Sequence, residues 1–350
     1  MSTSSPDVYL ATNNGDIGGG EVMLFALAEA LQSLGLVVSV VAPTAPSGVL
    51  ETARGRGLEA VALPAENRLA YMRALREWRR KNKDGLLWCN GLVPAFATAG
   101  SRHRIAHLHQ LPTPLQVPAV TAARIGARAT VVPSEFVARR VRKATVLHNW
   151  TASVDRIAPR RTDGRVRLGF LGRPSEAKGI HVLADAVDLL RREEPEKYRL
   201  RIAGEPRFVD ARERAFIESR MRSMGRSAER LGWMPADEFF SSIDVLVVPS
   251  VVPESFGLVA AEAMSARVPV VVSDAGAMPE VVGPGHPWIA RAGDSADLAR
   301  VIREASGALP AGDVVDHRYL RWQEHFSPES GKARLRGVLE DLGILQEVRG

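Results

Sequence analysis

The chain has 350 residues, with 46 Lys and Arg against 40 Asp and Glu, and therefore a formal net charge of +6. Apolar residues make up 45% and charged residues 25%, a composition that excludes a wholly disordered chain and, at this length, predicts two domains. The single cysteine, Cys89, excludes an internal disulfide and a cysteine-based metal cluster.

The amino terminus leads directly into an apolar run at Val8. Residues 1–6 are small and polar, without the basic segment and long apolar stretch of a signal peptide. The uncharged stretch over residues 85–101 contains an Asn-Gly pair and a proline and does not predict a membrane span. We therefore expect a cytoplasmic protein.

Short apolar runs alternate with helical patterns in the first half of the chain. Leu24, Leu27, Leu31 and Leu34 recur at helical spacing, and Gly35 closes the predicted helix. Continuous apolar strands between helices are typical of a parallel sheet covered on both faces. The predicted strands are residues 8–11, 37–41, 58–63, 86–89, 105–108 and 129–132.

The same pattern returns after a change of composition. Residues 156–165 are rich in Arg, Pro and Gly and predict a linker between two domains. The fold class is therefore α/β, with two doubly wound parallel-sheet domains over residues 1–155 and 156–324. Ligands bind such sheets at the carboxyl ends of the strands. The predicted strands of the second half are residues 166–171, 198–203, 244–248 and 268–273.

The loop after the first strand is rich in glycine. Residues 13–21 contain Gly18, Gly19 and Gly20 and open the first predicted helix, so backbone N–H groups could approach an anion there. The loop matches neither a Walker A sequence nor a G-x-G-x-x-G fingerprint. It indicates either a phosphate cradle or a tight turn without a ligand.

The loop after the first strand of the second half carries two cations. Arg173 and Lys178 stand near the two ends of a short turn over residues 172–179, where both could converge on one anion. The alternative is a solvated loop with ordinary surface charges. The positive net charge suits anionic partners, but no nucleic-acid-binding motif accompanies it, and we expect no nucleic-acid partner.

Two glutamates, Glu254 and Glu262, flank seven residues after the strand at 244–248. An all-helical segment would place them ~12 Å apart, too far for the acid–base pair of a glycosidase. They could instead hold hydroxyl groups at two ends of a long ligand, with the amino terminus of a helix near Gly257 between them. Glu262 lies in an otherwise apolar helix, and its alternative is a side chain turned to solvent.

In this order, these segments resemble the retaining GT-B glycosyltransferases of family 4, the glycogen-synthase-like and mannosyltransferase-like group. The resemblance implies two Rossmann-like domains facing a cleft, with a helix at about 325–350 that packs back on the first domain. Each motif is weak alone, whereas the ordered set is specific. The matching segments are residues 18–21, 133–137, 148–149, 169–173, 178–179, 202–205, 232–234, 249–262 and 269–271, with Glu280.

The resemblance also implies a nucleotide diphosphate sugar, a UDP- or GDP-sugar, as the donor. Arg173 and Lys178 would neutralise the diphosphate leaving group, Glu254 would hold donor-sugar hydroxyls, and Glu262 would hold the ribose. Backbone N–H groups in the glycine loop and at the start of the E-x7-E helix would contact sugar or phosphate. The implied donor-binding residues are Gly18, Gly19, Gly20, Phe256, Gly257, Leu258 and Glu262.

One histidine completes the implied catalytic set. His109 matches the family histidine that reaches the donor sugar. Its neighbour His107 is a competing candidate, and a packed or capping role is the alternative for His109.

The expected chemistry needs fixed positive charge. Breaking a sugar–phosphate bond develops negative charge on the diphosphate, which preorganised cations stabilise. Metal-dependent glycosyltransferases commonly use Asp-x-Asp, and this sequence has no Asp-x-Asp. We therefore expect no obligatory metal and no other cofactor. Retention of anomeric configuration is implied by the resemblance and is compatible with a same-face, leaving-group-assisted route.

The acceptor is the least defined part of the prediction, and a small molecule, a glycan or a lipid-linked molecule is open. Residues 66–83 predict a basic helix with seven Lys and Arg against two Glu, and with Leu69, Met72 and Leu75 as an apolar stripe. It could lie on an anionic membrane, as expected for a lipid-linked acceptor. A solvated helix with a core-facing stripe and an anionic soluble acceptor are the alternatives.

Two other interpretations of the function stay open. One is a non-transferring GT-B enzyme, such as an epimerase or a phosphorylase, and the other is a catalytically inactive nucleotide-sugar-binding protein. The set of two cations and two glutamates argues against the first, and the presence of all expected donor contacts argues against the second. A departure from the family is Asn149-Trp150, where Asn-Gly is common, and it concerns the hinge more than the donor pocket.

Overall fold

The computed structural model describes residues 7–156, 163–205, 210–309 and 312–347. The chain divides into two compact units: unit 1 combines Met1–Trp150 with Pro328–Gly350, and unit 2 is Thr151–Ser327. The sequence placed its domain boundaries a few residues away, at 155/156 and 324/325. Residues 1–6 and residues 157–162 of the predicted linker lie outside the described residues.

Unit 1 contains seven parallel strands: β1 (Val8–Ala11), β2 (Val38–Pro43), β3 (Glu59–Leu63), β4 (Leu86–Asn90), β5 (Arg104–His107), β6 (Ala129–Val132) and β7 (Thr145–Val146). Their order across the sheet is β3-β2-β1-β4-β5-β6-β7. Val8 pairs in parallel with Val38 on one side and with Leu86 on the other. The order reverses between β1 and β4, which is where doubly wound sheets bind ligands.

Helices connect these strands. Because β1, β2, β4 and β5 are buried along their whole length, apolar helix faces must cover both sides of the sheet. The helices between the strands are α1 (Gly19–Ser33), α2 (Gly48–Gly55), α3 (Arg68–Lys81), α4 (Leu92–Ala97), α5 (Val117–Arg124) and α6 (Glu135–Ala138).

The basic helix predicted over residues 66–83 is α3, and one of its cations is internal. Arg79 is 4% exposed, and its guanidinium donates five hydrogen bonds to backbone carbonyl groups of the segments that precede β4 and β5. Tyr71 and Leu75 are buried, whereas Leu69 is 54% exposed. The core-facing alternative for the stripe therefore holds at Leu75 but not at Leu69, and Arg79 is unavailable to an external partner.

Unit 2 repeats the doubly wound plan with six strands in the order β10-β9-β8-β11-β12-β13. These are β8 (Val166–Leu171), β9 (Tyr198–Ala203), β10 (Ala228–Gly232), β11 (Val245–Val248), β12 (Val270–Ser273) and β13 (Ile289–Ala290). The helices are α7 (Ile180–Glu193), α8 (Ala211–Ser223), α9 (Ala236–Ser241), α10 (Leu258–Ser265), α11 (Met278–Val282), α12 (Ser295–Gly307) and α13 (Gly312–His325).

The chain then adds two helices to unit 1, α14 (Pro328–Asp341) and α15 (Ile344–Glu347). Helix α14 contacts α1, and it carries Gly331 against the ring of Trp150, which is 3% exposed. A Cβ at Gly331 would lie 2.3 Å from Trp150 Cδ2, so glycine permits the close approach. No helix in the described part of the chain is long and apolar enough to cross a bilayer.

Candidate functional site

The cation loop predicted over residues 172–179 leaves β8 at its carboxyl end. Gly172 donates from its N–H to Ala203 O of the neighbouring strand at 3.0 Å. Gly179 precedes α7 in the left-handed region at φ +70°, where a Cβ would lie 1.9 Å from Pro249 O. This close backbone approach brings the cation loop against the segment that follows β11.

Lys178 and Glu254 meet at this edge of the sheet. The Lys178 Nζ lies 2.5 Å from Glu254 Oε1, and the two side chains are 40% and 15% exposed. Ser250 Oγ donates to the same carboxylate oxygen at 2.6 Å. Among the residues that the structure describes, Glu254 Oε2 has no hydrogen-bond partner. The contact therefore joins a cation to a carboxylate that keeps one open acceptor.

Backbone contacts fix the position of Glu254. Its N–H donates to Ala275 O at 3.3 Å, and its carbonyl accepts from Ala277 N at 2.9 Å. Gly276, at φ +72°, forms a parallel bridge with Glu254, and a Cβ there would lie 2.3 Å from Glu254 O. The backbone of Glu254 is therefore held by the loop after β12 as well as by its own segment.

Helix α10 begins at Leu258, so the all-helical spacing considered for Glu254 and Glu262 does not apply. Gly257 is the N-cap residue at φ +108°, and no side chain caps the helix. The N–H group of Leu258, in the first turn of the helix, is thereby left open to a ligand. The ring of Phe256 is buried edge-on against Phe326 and therefore belongs to the core of unit 2.

Glu262 is half-buried in α10. Burial raises the pKa of its carboxyl group from 4.5 to about 7. Its carboxyl group has no hydrogen-bond partner within the described ranges. Because an unpaired carboxylate is costly to bury, a proton or a ligand hydroxyl group is the expected companion.

Arg173 is exposed on the loop that carries Lys178. Its guanidinium has no hydrogen bond or ion pair with any residue that the structure describes, and no contact joins it to Lys178. Arg173 therefore makes no contact with the described residues that would stabilise the fold, and its charge is available to a ligand.

In unit 1, Glu21 organises the glycine-rich loop from inside. It is 3% exposed in the first turn of α1, and its Oε1 accepts from Thr12 Oγ1 at 3.0 Å and from Asn14 Nδ2 at 2.8 Å. Its Oε2 accepts from the N–H of Gly18 at 3.2 Å. The prediction of Gly18 as an open donor is therefore corrected. Within the described residues, the N–H groups of Gly19 and Gly20 have no such partner.

His109 follows β5 and contacts the end of β4. Its Nε2 lies 2.5 Å from Asn90 Oδ1, while Asn90 Nδ2 donates to Gly20 O at 3.1 Å. The amide oxygen must therefore accept, and Nε2 carries the proton. Burial lowers the pKa of His109 to about 4, so the ring is neutral at pH 7. Its Nδ1 is buried without a partner among the described residues and is an open acceptor.

The neighbouring His107 has a packing role. It is 2% exposed, its Nδ1 accepts from Trp88 Nε1 at 3.1 Å, and its ring centroid lies 3.9 Å from that of His109. Burial, with a smaller effect of His109, holds the pKa of His107 well below its usual value. Of the two histidines, only His109 is half-exposed at the strand edge.

Sequence reasoning missed three residues of these clusters. Ser250 and Asn90 each stand at the carboxyl end of a strand, a position that could have singled them out. The role of Gly276 depends on a contact between distant segments and left no local signal. Across the described residues, no group of three or more His, Cys, Asp or Glu side chains is placed to hold a metal ion.

The two doubly wound sheets and the loops at their carboxyl edges define the GT-B class of glycosyltransferases. HepE of Anabaena, solved in complex with UDP and glucose, matches with a TM-score of 0.80. The match covers 96% of this chain and 99% of that chain, at 17% sequence identity. The predicted fold class is confirmed.

Family models match both halves: "Glycosyltransferase Family 4" over residues 17–152 and "Glycosyl transferases group 1" over residues 165–306. A phosphatidyl-myo-inositol mannosyltransferase of Mycobacterium tuberculosis is 28% identical over 344 residues, covering 87% of this chain and 86% of the relative. A D-inositol 3-phosphate glycosyltransferase of Corynebacterium diphtheriae is 35% identical over 186 residues, covering 51% and 43%. The chain belongs to family 4 of the GT-B glycosyltransferases, as the resemblance predicted.

Proposed function

We propose that the protein transfers a hexose-type sugar from a nucleotide diphosphate sugar, a UDP- or GDP-sugar, to an acceptor hydroxyl with retention of anomeric configuration. The observation that carries this proposal is the contact between Lys178 and Glu254. It sets a cation suited to a phosphate beside a carboxylate suited to a sugar hydroxyl. The UDP and glucose bound to HepE support a donor of this class.

The residues of unit 2 divide the work on the donor. Lys178 and Arg173 bind the diphosphate and stabilise the negative charge that grows on it as the sugar leaves. The open N–H groups at the start of α10 add a second anion contact. Glu254 accepts a hydrogen bond from a sugar hydroxyl through Oε2, and Glu262 accepts from the ribose.

In unit 1, His109 offers its neutral ring to a substrate hydroxyl. Its Nδ1 accepts the hydrogen bond, and Asn90 fixes the ring through Nε2. The N–H groups of Gly19 and Gly20 are suited to an oxygen or an anion. These residues orient the substrate, and the proposal assigns no proton transfer at neutral pH to any of them.

Retention and metal independence belong to the proposal on different grounds. Retention is what the resemblance to the retaining family 4 enzymes implies, and it is compatible with a route in which the acceptor attacks on the face from which the diphosphate departs. Metal independence is proposed because two protein cations can take the part that a divalent metal takes in enzymes with Asp-x-Asp, which this sequence lacks. We expect transfer to continue in the presence of EDTA.

The first test is a thermal-shift screen of UDP, GDP, ADP and TDP with EDTA. A nucleotide that binds the native state raises the melting temperature by mass action. Its sugar conjugates are then incubated with myo-inositol, inositol phosphate and phosphatidylinositol, chosen because both relatives described above carry inositol in their names. NMR of the product reports the anomeric configuration. An inverted product, or a dependence on metal, would refute that part of the proposal.

The second test removes the two cations. Lys178→Ala and Arg173→Ala should each lower turnover by about 10²–10³-fold, the usual loss when a charge-stabilising contact is removed. Lys197→Ala is the matched control, since Lys197 pairs with Glu194 in the same unit at comparable exposure. Wild-type turnover in Arg173→Ala would remove Arg173 from the diphosphate site.

We also propose that α3 contacts an anionic membrane, which would suit a lipid-linked acceptor. Exposed Arg73 and Arg76 lie on this helix beside exposed Leu69. A double Arg73→Gln/Arg76→Gln variant should lose flotation with phosphatidylinositol vesicles, whereas Arg54→Gln/Arg139→Gln, with the same charge change, should keep it. Equal flotation of both variants would refute this contact.

A cytoplasmic location of the protein stays a prediction.

A further inference from the structure

We propose that a pocket at the amino-terminal edge of the unit 1 sheet, lined by Arg124, Arg128 and Lys143, binds a phosphate ester. The pocket is an open concavity of about 410 Å³ between the end of α5, the start of β6 and the approach to β7. None of the described residues that line it is acidic. This pocket is called the basal pocket below.

The basal pocket is separate from the carboxyl edge at which His109 lies. Ala129 and Thr130, the first residues of β6, line it, whereas ligands of the doubly wound plan meet the far end of that strand. From the first to the fourth residue of β6 there are three rises of about 3.3 Å each, which put ~10 Å between the two edges. The inference therefore does not depend on the proposed transferase chemistry.

The cations of the basal pocket are not required to cap α5. A different residue, the fully buried Arg104, already donates to Ala123 O at 2.6 Å and to Ile125 O at 2.5 Å. Arg104 thus satisfies carbonyl groups at the carboxyl end of the helix, where a cation is favourable. Arg124 and Lys143 are left without that structural reason for their charge.

Two hydrogen bonds hold the Arg124 guanidinium in place and leave one of its nitrogen donors unpaired. Its Nε donates to Thr130 Oγ1 at 3.1 Å and its Nη2 to Arg142 O at 2.7 Å. In the part of the chain that the structure describes, its Nη1 has no partner, and neither Arg124 nor Lys143 forms an ion pair. Two uncompensated cations beside Arg128 repel one another, and an anion between them removes that repulsion.

The walls of the basal pocket are fixed by the backbone. Arg128 N donates to Arg104 O at 2.8 Å, and Arg128 Nη2 donates to Leu342 O at 2.5 Å. Gly126 lies at φ +79°, and a Cβ there would be 2.9 Å from Ser101 O. A preordered site loses little conformational entropy when it binds a ligand.

The lining chemistry points to a phosphate joined to a polyol. Guanidinium and ammonium groups suit phosphate oxygens, and Thr130, whose oxygen accepts from Arg124, keeps its own O–H for donation. The volume is larger than a phosphate alone requires. Ile125, at the rim, is 60% exposed. A soluble phosphomonoester and the headgroup of a phospholipid share this chemistry.

The test is calorimetric titration of the full chain with glycerol 3-phosphate and with glycerophosphoinositol, a headgroup without acyl chains. All proteins carry Arg173→Ala and Lys178→Ala, which remove the candidate diphosphate site. Lys143→Asn removes one pocket cation at a backbone position (φ +60°) that asparagine tolerates. Lys83→Asn, on an exposed residue that does not line the pocket, is the charge-matched control.

We expect Lys143→Asn and Arg124→Gln to weaken binding at least about tenfold, as loss of a charge-assisted contact does, and Lys83→Asn to leave it unchanged. Tighter binding of glycerol 3-phosphate would assign the pocket to a soluble phosphomonoester, and tighter binding of glycerophosphoinositol to a lipid headgroup. No binding of either compound at millimolar concentration, or equal binding by Lys143→Asn and its control, would overturn the proposal.

Discussion

At the scale of residues, hydrogen bonding decides which of two adjacent histidines can meet a substrate. His107 accepts from an indole in the core, whereas His109 donates to Asn90 and keeps an open nitrogen. The sequence contains both histidines within three residues and offers no means of ranking them. The ranking depends on Trp88 and Asn90, which come from the adjacent strand and become neighbours only through strand pairing.

The contact with Asn90 can be tested through the protonation of His109. Asn90→Asp should raise the pKa of His109 from about 4, because a carboxylate stabilises the imidazolium form. Histidine NMR titration measures the midpoint, and Asn67→Asp, at the exposed N-cap of α3, is the control for the charge change. A midpoint that stays near 4 in Asn90→Asp would show that the two side chains are apart in solution.

The lowered pKa of His109 also determines the direction in which stability changes with pH. An unfolded histidine titrates near 6.5, so between pH 6.5 and 4 the unfolded chain binds more protons at this residue than the folded chain. Its contribution to the free energy of unfolding is therefore lost as the pH falls through this window.

The contribution of Glu262 to stability changes with pH in the opposite direction. Its pKa is raised from 4.5 to about 7, so the folded chain binds more protons between these values and stability falls as the pH rises through them. Glu262→Gln should therefore raise the free energy of unfolding by about 1–2 kcal/mol at pH 8 and change it little at pH 4.5. Denaturant unfolding at both pH values measures this, with exposed Glu238→Gln as the control. A gain of equal size at both pH values would contradict the assignment.

At the scale of elements, glycines set how closely loops approach one another. Gly179 combines a left-handed backbone with a Cβ position 1.9 Å from Pro249 O, whereas Gly164 has nearly the same φ, +68°, and open space. Gly179→Ala should therefore cost at least about 2 kcal/mol of stability, and Gly164→Ala only about 1 kcal/mol from the backbone. Thermal unfolding compares them, and equal losses would show that the contact with Pro249 is not tight.

Prediction from sequence succeeded for elements that carry their own signal. Strands β1, β6, β8 and β9 have the predicted bounds because continuous apolar runs mark buried parallel strands. Three strands were not predicted. β7 and β13 have two residues each, and β10 places charged residues at the sheet edge, so neither length nor apolar pattern distinguished them from loops.

The candidate site follows the same division. The cation loop and the two glutamates could be found from sequence because each follows an apolar strand in a compact motif. The pairing of Lys178 with Glu254 could not, since it depends on the contact of Gly179 with the segment after β11. Arg79 had the same pattern as its exposed neighbours, and only the packing of α3 turned it inward.

At the scale of the whole molecule, the junction between Trp150 and Gly331 closes unit 1 around two distant stretches of chain. Gly331→Ala should lower the free energy of unfolding by about 1–3 kcal/mol, because the added methyl group overlaps a buried indole ring. Gly337→Ala lies on the same helix with open space and should instead stabilise it by about 0.5–1 kcal/mol. Denaturant unfolding of both variants tests the junction, and the same sign of change in both would contradict it.

The division of unit 1 into two stretches also orders events during synthesis. Every strand of its sheet leaves the ribosome early, yet α14, which buries Leu335 and Leu339, is translated only after all of unit 2. Unit 2 has all of its residues available before unit 1 does. The part of the chain that is made first is therefore the last to be completed, which reverses the usual amino-to-carboxyl order of cotranslational folding.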